Sequence, residues 1–118
     1  MKNSPLITKS KDFSLFIIKL CNDIKHEKKE TIMTNQLIRS GTSIGANINE
    51  ANYGQSKAGF VAKLHIALKE TAETEYWLRL LTMSEYITEE MGRSLLADCL
   101  EMKRILIASI NTAKGNLK

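Results

Sequence analysis

The chain has 118 residues, 43% hydrophobic and 25% charged, the balance of one soluble globular domain. One proline and six glycines argue against a turn-rich β-protein. The longest uncharged stretch, residues 40–49, falls far short of the ~18 apolar residues a membrane helix needs, and the N-terminus lacks the apolar run of a secretory signal. The expectation is a cytoplasmic protein without membrane contact. Cys21 and Cys99 lack metal spacing and read as reduced thiols in helical patterns.

Four helical segments follow, at about 11–28, 32–53, 57–84 and 89–114, with short breaks and no linker between them. Ser10 is the predicted N-cap of the first, with Asp12 in its first turn. Phe13, Phe16, Ile17, Leu20 and Ile24 form its apolar line, and Leu15 and Ile18 lie off it. The second helix has a line of small volume: Leu37, Gly41, Ile44, Ile48 and Ala51. Gly41 and Gly45 each cost roughly 1 kcal/mol of helix propensity against Ala, so close approach of a neighbouring helix is expected there. Gly54 is placed just beyond this helix and Ser56 at the cap of the next.

The third helix carries Phe60, Leu64, Ala67, Thr71, Leu78 and Leu81 on one face, with Val61, Leu68 and Trp77 elsewhere. The fourth opens at Thr88 with Glu89 and Glu90 in its first turn, and carries two adjacent apolar stripes. Short connections between long helices predict an all-α, up-down-up-down four-helix bundle. A single bundle needs one apolar stripe per surface helix. The surplus at Leu15, Ile18, Trp77, Leu96 and Ile107 predicts a second buried surface and hence a homo-oligomer.

The net charge of +4 is unevenly spread. Residues 1–40 hold eight Lys/Arg against four Asp/Glu, whereas residues 41–80 and 81–118 are balanced. Lys11, Lys19, Lys25, Lys28, Lys29 and Arg39 are therefore the candidate contacts to phosphate or another acidic partner. Ser43, Asn47 and Glu50 follow Arg39 at helical spacing, and Glu73 is a facing carboxylate for Arg39. These five read as a polar network setting register between the second and third helices. Catalysis finds no support. His26 sits in a charged helix end, His65 has no carboxylate one turn away, and Asp23 with His26 is the only acid-x-x-His pair. No metal site, no phosphate loop and no cofactor are expected.

Two stretches have a familiar cast. Residues 39–54 read RSGTSIGANINEANYG and residues 64–81 read LHIALKETAETEYWLRLL. Arg39, Ser43, Ile44, Ala46, Asn47, Ile48 and Glu50 in the first, and Ser56, Phe60, Leu64, Ala67, Glu73 and Glu75 around the second, resemble the four-helix-bundle family of 23S rRNA intervening-sequence proteins. The chain departs from that pattern at Asn49, Ala51, Gly59, Lys69 and Glu70. The resemblance implies a non-enzymatic bundle that assembles into a ring-like pentamer. Some members lie within intervening sequences of 23S rRNA genes. Others resemble accessory proteins of diversity-generating retroelements, which bind nucleic acid and a reverse transcriptase through a basic surface. In such a ring the charge would reach about +20. The leading expectation is binding of structured RNA or DNA, alone or together with a protein partner such as a reverse transcriptase. The alternative is a protein-binding scaffold without nucleic acid, which the scarcity of aromatic residues for base stacking favours.

Overall fold

Ser4 and Pro5 set where the first helix starts. The Ser4 hydroxyl accepts the Ile7 N–H, and Pro5 fills the first helical position, where a missing N–H is harmless. A computed structural model describes residues 4–54 and 56–115, and in it four helices follow in order: α1 (Pro5–Lys28), α2 (Ile32–Asn52), α3 (Lys57–Met83) and α4 (Glu89–Gly115). The expected start near Lys11 is therefore corrected by almost two turns. Ser10 is not a cap. It is buried on the core line of α1, and its hydroxyl donates to the Ile7 carbonyl.

The other helix starts have visible causes. Glu30 caps α2: its carboxylate accepts the N–H groups of Ile32, Met33 and Thr34 at 2.8–2.9 Å. Ser56 caps α3 through the Gly59 N–H, and the Thr88 hydroxyl accepts the Met91 N–H at the start of α4. Left-handed backbone at Lys29 (φ 60°) and Glu85 (φ 66°) turns the chain after α1 and α3. Gly54 does not use that conformation.

Each helix packs on its chain neighbours, and α1 also meets α4, which closes an all-α four-helix bundle of 51 × 21 × 21 Å. Leu6, Ile17, Leu37, Ile44, Leu64, Leu78, Met102 and Leu106 are fully buried along its axis. Each such side chain contributes roughly 1.5–3 kcal/mol by leaving water. α3 touches both α2 and α4, so its buried arc is wide. Val61, placed off the line by the sequence, is buried, while Phe60 is only half-buried.

The glycines of α2 do bring helices close. A Cβ on Gly41 would lie 3.1 Å from Ile17 Cγ2, and one on Gly45 would lie 3.4 Å from the Ser10 carbonyl oxygen. Gly92 does the same for α3 and α4, because a Cβ there would run into the Thr82 hydroxyl. Of the surplus apolar residues, Trp77 and Leu96 pack against the core, but Leu15, Ile18 and Ile107 stay exposed. Among the described residues no helix is long and apolar enough to cross a membrane.

Candidate nucleic-acid interface

Residues 11, 15, 18, 22 and 25 alternate steps of four and three, so they descend α1 in one line. That line reads Lys11, Leu15, Ile18, Asn22 and Lys25, and Lys29 follows it at the left-handed C-cap. It lies roughly 140° around the helix from the buried line of Leu6, Phe13, Ile17 and Ile24. Lys11 and Leu15 border α2 across a shallow depression shared with Gly45, Ile48 and Asn49. Within α2 the charged residues are Arg39 and Glu50, and both pair with α3, while the capping carboxylate of Glu30 is taken up by the N–H groups of the first turn. The α1–α2 face therefore has lysines and no carboxylate from α2. Lys11, Lys25 and Lys29 make no ion pair among the described residues. Lys11 and Lys25 are about 21 Å apart along the helix.

The remaining three candidate cations sit elsewhere. Lys19 lies about 80° around α1 from Lys11 and pairs with Asp23 at 3.2 Å. Lys28 lies about 100° the other way, and its ammonium donates to the Glu85 and Tyr86 carbonyls at 3.4 Å, clamping the α3–α4 turn. Arg39 donates to Glu70 at 3.2 Å and to Glu73, whose carboxylate also accepts the Trp77 indole N–H at 3.1 Å. Lys28 and Arg39 are engaged between helices, and Lys19 within its own.

The expected polar network divides into separate parts. Arg39 meets Glu73 across the α2–α3 seam. Asn47 is buried but donates only within its own helix, to the Ser43 carbonyl at 2.9 Å and its hydroxyl at 3.1 Å. Glu50 pairs with Lys63 at 2.7 Å. Distance explains the division, since Arg39 and Glu50 stand about 16 Å apart along α2. The contact that locks register was missed by the sequence: the Thr74 hydroxyl donates to the Ser40 hydroxyl at 3.0 Å, both residues fully buried. Its signal was present as two hydroxyl residues on the apolar lines of facing helices.

The opposite seam, between α1 and α4, is open. A groove of ≈ 980 Å³ runs along it, lined by Phe13, Phe16, Met91 and Leu95. Lys9 spans it to Asp98 at 3.2 Å and Glu101 at 2.9 Å. The Glu101 hydrogen bond leads in holding the Lys9 ammonium above its usual range, against the opposing cost of burial. Burial pushes both the Cys21 and Cys99 thiols up to about 12, so neither is a thiolate at neutral pH. His26 and His65 are exposed, and among the described residues no three of His, Cys, Asp or Glu gather as metal ligands.

A family model described as 23S rRNA-intervening sequence protein matches residues 2–108. No curated protein matches. Among solved structures, the chain is similar to a protein with unknown function from the S23 ribosomal protein family of Bacteroides thetaiotaomicron VPI-5482. The two share 50% identity over 89% of this chain and 97% of that one, with a TM-score of 0.87. With the match spanning nearly the whole bundle, this chain belongs to the 23S rRNA-intervening sequence protein family.

Proposed function

We propose that this protein is a non-enzymatic, oligomeric helical bundle that holds the phosphate backbone of structured RNA or DNA through the α1–α2 face. The observation that carries this reading is the line of Lys11, Lys25 and Lys29, unpaired among the described residues and faced by no carboxylate of α2. Phosphate neutralisation by such lysines releases counterions and gives affinity without reading sequence. In a ring-like pentamer, the assembly expected from the family resemblance, the line would repeat five times and its fields would add.

Fluorescence anisotropy with a labelled RNA hairpin and a labelled DNA duplex tests this. Binding that weakens steeply as salt rises is expected. Absence of binding to both probes at low salt overturns the reading. A second reading, a protein-binding scaffold, is favoured by one observation: Leu15 and Ile18 stand 61% and 38% exposed in the middle of the same line. Binding of nucleic acid that survives Leu15→Gln and Ile18→Gln separates the two.

A further inference from the structure

The last two thirds of the chain are neutral by count, with as many acids as bases in residues 41–80 and again in 81–118. Folding spends those charges unevenly. Glu70 and Glu73 go to Arg39, Glu75 to Lys103, Glu50 to Lys63, and Asp98 and Glu101 to Lys9. Arg79, Arg93 and Arg104 are left exposed and make no ion pair among the described residues. They are every arginine of the chain except Arg39.

The three share one side of the bundle. Arg79 and Arg93 line a single open depression of ≈ 390 Å³ between α3 and α4, beside Leu96, with Glu89 as its one carboxylate. Arg104 follows Arg93 by eleven residues, three helical turns and about 16 Å, so it occupies the same side of α4. Tyr76, 54% exposed, stands one turn before Arg79. This α3–α4 face lies across the bundle from the lysine line, because α1 packs on α2 and α4 but not on α3.

We propose that the α3–α4 face is a second nucleic-acid contact, in which Arg79, Arg93 and Arg104 hold backbone phosphates. The inference rests on the nucleic-acid reading above and assigns it a separate surface. Charge complementarity selects the occupant. Although Glu89 and Glu90 lie one turn before Arg93, none of the three guanidinium groups forms an ion pair among the described residues, and such groups present planar forks that match phosphate oxygens. They run along the bundle axis, as a backbone does, rather than ringing one apolar anchor pocket. The Tyr76 ring offers a stacking surface for an unpaired base beside them.

The test is the salt dependence of duplex DNA binding by the full chain. Arg79→Gln, Arg93→Gln and Arg104→Gln are combined, once in the wild-type background and once with Lys11→Gln, Lys25→Gln and Lys29→Gln. In the lysine-free background the arginine face carries the remaining binding, so removing its three charges there should make the slope of log K against log salt shallower by about 3, and in the wild-type background it should remove the second duplex from the saturated complex. The triple Arg→Lys variant should keep most of the slope, since it keeps the charge. An unchanged slope on removing the arginines from the lysine-free background, in a protein that still binds, overturns this inference and leaves the lysine reading standing. No binding by the wild-type chain overturns both. Loss of polyglutamate binding with an unchanged duplex slope would assign the face to an acidic protein and also overturn it.

Discussion

The α2–α3 face and the α1–α2 face both carry cations, and they use them differently. On the first, Arg39 has Glu70 and Glu73, Lys63 has Glu50, and the buried Ser40–Thr74 hydrogen bond continues the polar contact into the core. On the second, Lys11, Lys25 and Lys29 have no such partners. The first face is closed on itself and serves the fold. The second retains an unneutralised field and is the one that can serve a ligand. A count of basic residues cannot separate the two, but pairing geometry does.

Changes on the free face should alter binding and leave stability alone, and changes on the closed face should do the reverse. The largest effect is expected from reversing the lysines. Lys11→Glu, Lys25→Glu and Lys29→Glu together should weaken duplex binding about a hundredfold or more at low salt. Chemical denaturation should move by less than about 1 kcal/mol, since Lys11 and Lys29 are exposed and the half-buried Lys25 makes no ion pair among the described residues. Next comes the closed seam. Thr74→Val leaves the buried Ser40 hydroxyl with only a 3.5 Å contact to the Leu37 carbonyl. It should cost about 1–2 kcal/mol in urea denaturation, with binding unchanged.

Glu30→Gln should cost about 1 kcal/mol at neutral pH, because a charged cap of α2 is lost. Burial pushes the Glu30 carboxyl up, but the Met33, Thr34 and Ile32 N–H groups and the Thr34 hydroxyl outweigh it and hold the group below its usual range. Its stabilisation is therefore present above the ordinary carboxylate range and is lost as pH falls through the depressed value. Urea melts of wild type and variant should converge in acid. The smallest effect belongs to Arg39→Gln. Arg39 is half-exposed and Glu70 beside it largely buried, so the change should cost no more than about 1 kcal/mol, and duplex affinity should hold.

Much of the fold was legible because helical periodicity is local. The core line of α2 follows from spacing, and so does that of α1 at Phe13, Ile17 and Ile24, whereas Phe16, expected on the same line, is 45% exposed; the close approach at Gly41, where a Cβ would crowd Ile17, follows too. The start of α1 was not legible in the same way. Ser10 resembles a cap when Lys11 and Asp12 follow it, yet it also falls on the 6, 10, 13, 17 core line that makes it interior. Gly92 escaped notice because its partner, Thr82, lies on another helix. The candidate site was half legible. The asymmetry of charge pointed to α1, and periodicity alone separates Lys19 and Lys28 from the Lys11 line. The engagement of Arg39 by two α3 carboxylates, and the release of three arginines on the opposite side, depend on which chains meet across seams. No local pattern encodes those meetings.

Two charge-matched variants give the most direct measurement. One removes Lys11, Lys25 and Lys29 as Gln, and the other removes Lys19, Lys28 and Arg39 as Gln. Each deletes the same charge from the same third of the sequence. The first should flatten the salt dependence of duplex binding by about 3 in slope, and the second should change it by less than about 1. Equal flattening in both would show that net charge, and not the unpaired lysine line, carries the binding, and would contradict the account.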